Sequence, residues 1–199
     1  VNMIPADMGR IQHLIDVAKE IATEAHRGQT DKSGHDYISH PMRVAENAMT
    51  VPHDPMMTHV AQLHWVAWLH DVIEDGPDNG YKVDLRAWRD AGFGEDTIEA
   101  VQLLSYRKPR FEPGLSPIQR AALIKQSKID YYLGIANHHI ARPVKLADLA
   151  DNCNLQRQEE LKVKGAHFDP EKYPLALAVI DPTPEEWEWF NNRIKEQVL

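Results

Sequence analysis

The 199-residue chain has one cysteine, Cys153, so no disulfide forms within it. A lone thiol suits a reducing compartment, and a cytoplasmic location is expected. No run approaches the ~20 apolar residues of a membrane span, and no signal-peptide pattern is read at the start. Sustained apolar–polar alternation with β-branched enrichment is also missing. No sheet is therefore expected beyond a short hairpin near 31–38. Positive charge is scarce: 22 Lys and Arg face 30 Asp and Glu, a formal net charge of −8. That balance argues against non-specific binding to nucleic-acid polymers. A small polyanion remains acceptable, provided a local basic patch or a metal receives it. Internal repeats and low-complexity tracts are absent.

What the chain does have is helical periodicity. Ile11, Leu14, Ile15, Ala18, Ala22 and Ala25 recur at three- and four-residue spacing, as one apolar helix face requires. Several helix starts pair a capping residue with proline at the first helical position: Asp54–Pro55, Ser116–Pro117, Asp169–Pro170 and Thr183–Pro184. Gln119 and Glu186 complete capping boxes for the second and fourth of these. Helices are read near 10–27, 41–51, 55–74, 83–91, 95–106, 117–138, 143–161, 170–180 and 184–198. The expectation is a single all-α domain of about nine helices, with 43% hydrophobic residues to fill its core.

Chemistry concentrates in three segments. "WLHDVIED" sets His70, Asp71, Glu74 and Asp75 on one broad side of a helix that is otherwise apolar nearly all round. Three crowded carboxylates are unfavourable there unless protons or a cation neutralise them. A polar helix end facing solvent is the alternative, though carboxylates there oppose the helix dipole. "VKLADLADN" places Lys145, Asp148 and Asn152 on one stripe of an apolar helix, which reads as a site or as a solvated face. "DKSGHDYISHP" turns at Gly34 and leaves His40 at the mouth of a helix opened by Pro41. His40, His70, Asp71 and Asp148 together would make a mixed nitrogen and oxygen site for a first-row divalent ion. No thiolate site can be built.

These three motifs, in this order, resemble the HD phosphohydrolase superfamily, and more narrowly the small single-domain alarmone hydrolases of the RelA/SpoT type. The similarity spans residues 22–175. It implies an HD-domain helical bundle with His40, His70, Asp71 and Asp148 as ligands of Mn2+. Glu74 and Asp75 would orient or deprotonate the attacking water. Lys32, Ser33, Lys145, Asn152 and Tyr173 would bind the nucleotide. The implied reaction removes the 3′-pyrophosphate of (p)ppGpp or (p)ppApp, giving GDP or GTP, ADP or ATP. Other readings are a different HD-domain nucleotidase, an NADPH phosphatase, or a non-catalytic metal-binding module. An antitoxin-like role, neutralising a partner alarmone synthetase toxin by destroying its product, is also compatible with the resemblance.

Two positions depart from the family pattern. Asp31 stands where an arginine is usual, with no structural role evident in the sequence, and bears on guanine against adenine preference. Asp169 replaces a second arginine and reads as a helix cap. The basic run holding Arg107, Lys108, Arg110, Arg120, Lys125 and Lys128 reads as a solvated loop and helix face, with a phosphate-attracting rim as the alternative. Trp187, Trp189 and Phe190 read as core or as a contact in a homo-oligomer. His138 and His139 read as imidazoles favoured by the dipole at a helix end. His64 and Cys153 read as packed core residues.

Overall fold

The computed structural model describes residues 5–56, 59–163, 165 and 172–196, with side chains left aside at 5–7 and 172. Among these residues the fold is all-α. Its helices are α1 (Pro5–Ala25), α2 (Ser39–Ala48), α3 (Val60–Leu69), α4 (Val72–Asp75), α5 (Leu85–Asp90), α6 (Glu95–Leu104), α7 (Pro117–Ala136), α8 (Ala141–Asn152), α9 (Leu155–Val163), α10 (Lys172–Ile180) and α11 (Pro184–Arg193). A 3-10 turn over Gly76–Asn79 follows α4. None of the helices among the described residues is long and apolar enough to cross a membrane.

The helix α3 lies at the centre, packed against α1, α2, α6 and α8. Its Leu63, Trp65, Val66, Ala67, Trp68 and Leu69 are all buried, as its apolar circumference requires. Neighbours present small residues to it. Ala18, Ala22 and Ala25 of α1 and Ala45 and Ala48 of α2 are fully buried, and short side chains permit close helix approach. The buried indole Nε1 of Trp65 donates to Thr97 Oγ1 of α6 at 3.0 Å, so burial leaves no unmet donor there.

Among the described residues eleven helices replace the expected nine, because two long readings are broken. Residues 55–74 contain two helices, interrupted at His70–Asp71 and starting later than Pro55. Asp54 Oδ1 accepts from Met56 N at 2.8 Å in a turn. The helix begins instead at His59, whose ring accepts from Ala61 N while Gln62 Oε1 accepts from His59 N. Residues 143–161 break at Cys153–Asn154, where Asn154 Oδ1 accepts from the amides of Gln156 and Arg157 and opens α9. The boxes at Ser116 and Thr183 form as expected. The hairpin near 31–38 is one antiparallel bridge, Thr30 to Asp36, its turn carried by Gly34 at φ 82°. The Asp169–Pro170 helix start lies outside the described residues.

A buried ionic clamp ties the C-terminal helices to the bundle. Arg142 of α8 donates to both Glu186 oxygens at 2.9 and 2.7 Å, and to the carbonyls of Ala136, Ile180 and Asp181. Glu186 is 5% exposed, so both charges depend on the pairing. Glu186→Ala should lower unfolding free energy by about 3 kcal/mol by stranding the guanidinium. Glu185→Ala, at an exposed neighbour, should change it by less than about 0.5 kcal/mol. Urea unfolding of the two variants would measure the difference.

Candidate metal centre

The interruption between α3 and α4 turns His70 and Asp71 toward α2 and α8. His70 Nδ1 lies 2.6 Å from the carbonyl oxygen of Ala67. A carbonyl only accepts, so Nδ1 carries a proton whatever the charge of the ring, and Nε2 is the nitrogen left to take a further proton or a cation. Nε2 is buried and makes no hydrogen bond. It stands 3.0 Å from Asp71 Oδ2, where lone pair meets lone pair unless a proton or metal cation lies between. From α2, His40 brings Nε2 to 3.3 Å from Asp148 Oδ1 and 3.7 Å from Asp71 Oδ2. Asp148 Oδ1 in turn is 3.9 Å from His70 Nε2. His40, His70 and Asp148 each offer an atom within 4.8 Å of the other two, and all three are buried.

Every member of the cluster is held from behind. His40 Nδ1 lies 2.7 Å from Asp151 Oδ2. The Tyr37 hydroxyl donates to Asp71 Oδ2 at 2.6 Å. Lys145 Nζ donates to Asp148 Oδ2 at 2.7 Å, and Asn152 Nδ2 to Asp148 Oδ1 at 2.5 Å. The stripe Lys145, Asp148, Asn152 is therefore a bonded unit on a buried helix rather than a solvated face. Two imidazoles and two carboxylates without thiolate match the donor preference of first-row divalent ions, and the orphaned His70 nitrogen is what such an ion would satisfy.

Electrostatics show that positive charge is favoured in the same place. Burial resists charge on His40, yet its bonds to Asp148 and Asp151 outweigh this and raise its pKa to about 9. His70 is raised as well, burial again opposing and Asp71 prevailing. Asp71 and Asp148 stay ionised despite burial, because His70 holds the first and Lys145 the second below the usual carboxylate range.

The cluster lies against a cavity of about 550 Å³ whose lining includes His40, Asp71, Asp148, Glu74, Asp75, Lys32, Lys145, Asn152 and Tyr173. His70 and Ser33 are buried and do not line it. Glu74 reaches solvent, but the wall desolvates its carboxylate and raises its pKa, partly opposed by Tyr106 N–H, which donates to Oε2 at 2.9 Å. Asp75 Oδ2 accepts from Gln29 Nε2 at 3.1 Å, and Gln29 Oε1 accepts from Asn79 Nδ2 and from His26 Nδ1.

Some expectations change. Asp31 has a structural role after all: Oδ1 accepts from Ser33 N at 2.8 Å and His35 N at 3.0 Å, and Oδ2 lies 3.4 Å from Arg157 Nη2. This closes the Gly34 turn, as a short acidic side chain does. From the basic run, Lys108 and Lys128 line the cavity, whereas Arg120 turns to the Leu115 carbonyl and the Phe111 ring. His138 caps the start of α8 rather than the end of α7. Its Nδ1 accepts from Ile140 N and Ala141 N, which requires a neutral ring, and burial lowers its pKa accordingly. Sequence reasoning missed Tyr37, Asp151, Gln29 and Arg157; the available signal for the first two was three-residue spacing from His40 and Asp148.

Comparison with protein-family models gives no match, and comparison with curated proteins finds no similar sequence.

The raised imidazole pKa values have a consequence for stability. A histidine whose pKa is 6.5 unfolded and about 9 folded adds stability that is complete below pH 6.5 and lost as pH rises through 9. In chelator, the melting temperature should therefore fall between these limits. Saturating divalent metal, which binds the deprotonated imidazoles, should suppress that fall. Thermal melts across the pH series with and without metal would check both.

Proposed function

We propose that the protein is a metal-dependent phosphohydrolase that removes the 3′-pyrophosphate of alarmone nucleotides, (p)ppGpp or (p)ppApp, with Mn2+ as its ion. One observation carries the reading: a buried cluster of two imidazoles and two carboxylates shares its cavity with two further carboxylates, Glu74 and Asp75, and with Lys32, Lys108 and Lys128. The order of the three sequence motifs supplies the substrate class.

His40, His70, Asp71 and Asp148 would hold the ion, which when bound polarises a phosphoryl oxygen and lowers the pKa of water. Glu74 is the carboxylate suited to take the water's proton, because its raised pKa makes it the better base near neutrality. The Tyr106 N–H engages one of its oxygens and leaves the other for that task. Asp75, braced by Gln29, orients the water. Water attacks the phosphorus bonded to the ribose 3′ oxygen, and the P–O3′ bond breaks. The 3′ oxygen departs and takes up a proton as the hydroxyl of the nucleotide product. The attacked group is released as pyrophosphate carrying the water's oxygen. Lys32, Lys108 and Lys128 on the lining gather the polyanion in a chain whose net charge would otherwise repel it. Lys145 acts through Asp148, on which its ammonium is spent. The rings of Tyr106, Tyr131, Tyr132 and Tyr173 offer flat faces for a base.

Purified protein loaded with Mn2+ should release pyrophosphate from 3′-pyrophosphorylated guanosine or adenosine nucleotides, resolved by ion exchange. Inorganic phosphate released from NADPH alone would move the assignment to a phosphatase on the same scaffold. Bound metal with no turnover on any of these would leave a metal-binding module. Asp71→Ala should abolish metal binding and turnover together. Glu74→Ala should retain the ion yet lose at least about 100-fold in kcat, the usual scale of general-base catalysis.

A further inference from the structure

Asp151 is 3% exposed and faces three cationic or proton-donating side chains. Oδ2 lies 2.7 Å from His40 Nδ1 and 3.2 Å from Arg43 Nη2, and it also accepts from Arg157 Nη1. Oδ1 accepts from Arg43 Nε at 2.7 Å. A carboxylate so surrounded stays ionised and offers only acceptors, so the nitrogen of His40 that meets it must donate. His40 Nε2, on the far edge of the ring, is then the nitrogen turned toward Asp148 and Asp71, and once its proton is lost its lone pair is what a cation there would meet.

We infer that Asp151 is the positioning residue of the metal centre: it fixes the tautomer and orientation of His40, and its negative charge offsets the arginines behind that ring. This rests on the reading of the cluster as a metal site. Charge is central to the argument. Arg157 is shared between Asp151 and Asp31, at 3.4 Å from the latter, so the group of two arginines and two aspartates is neutral as a whole. Removing the Asp151 charge alone leaves a net positive field beside a ligand that must accept a cation. Removing the Arg43 charge has the opposite electrostatic sense. Arg43 does not line the cavity, so its substitution leaves the substrate walls intact.

The test measures Mn2+ affinity from the resonance of the free aquated ion, together with nitrogen-15 spectra of the histidines in Zn2+-loaded protein. In the wild type, His40 should carry its proton on Nδ1, with that proton shifted strongly downfield by the carboxylate. Asp151→Asn, nearly the same shape, should weaken Mn2+ binding roughly 10- to 100-fold and abolish the downfield shift. Arg43→Gln should bind Mn2+ at least as tightly as the wild type. Equal losses in both variants would mean that the group merely packs and would overturn the inference. So would unchanged affinity in Asp151→Asn, or a proton on His40 Nε2 in the wild type, which tests the idea even if Asp151→Asn does not fold. A wild type that takes up neither ion would overturn the metal-site reading and this inference with it.

Discussion

Asp71 and Asp148 lie beside His40 and His70 in the interior, and carboxylates so placed need positive charge close by, since an ionised group deprived of water is costly. Lys145 provides some of it for Asp148, and the imidazoles, kept basic by their acidic neighbours, provide the rest when protonated. Protons and any metal ion bound there would therefore compete for the same place. The bonds that surround the cluster fix where the lone pairs point, so the competition is decided by charge rather than by rearrangement.

The helical scaffold makes that fixity available. Because α3 is enclosed by α1, α2, α6 and α8, the chain leaving it has no freedom to wander, and the interruption at His70–Asp71 occurs at a defined place. His70 uses its ring to bond the Ala67 carbonyl one turn back. A residue that ends a helix thereby supplies an oriented imidazole. The cluster residues of α2 and α8 arrive on helices that pack against one another, which brings together residues more than 100 positions apart in sequence.

Much of this was legible in the chain. Periodicity gave the all-helical class, and the His–Asp doublet with its later aspartate marked the cluster, because those signals are local. The two helix interruptions were not legible: apolar spacing runs on through His70–Asp71 and Cys153–Asn154, and the breaks are made by side-chain bonds to backbone. Asp54–Pro55 has the composition of a helix start, yet His59 and Gln62 form the competing box that the chain uses. Asp151 escaped notice because its partners, Arg43 and His40, lie far away in sequence. The role of Asp31 is a local one, an aspartate closing its own turn on the amides of Ser33 and His35, and short polar side chains before a glycine mark such turns only weakly.

Among its described residues α9 buries none, although Arg157 and Leu161 border the cavity. It joins the bundle through the Arg157 pairs and a backbone bond from Leu155 N to the Ile194 carbonyl. Most exchanges on such a helix cost little folding free energy, because surface positions away from special features shift stability by less than about 0.5 kcal/mol. The cavity thus has a floor that tolerates almost no variation and, Arg157 apart, one side on which exchanges cost the fold little. Exchanges along α9 other than at Arg157 can therefore reshape one wall of the cavity without endangering the fold that holds the cluster.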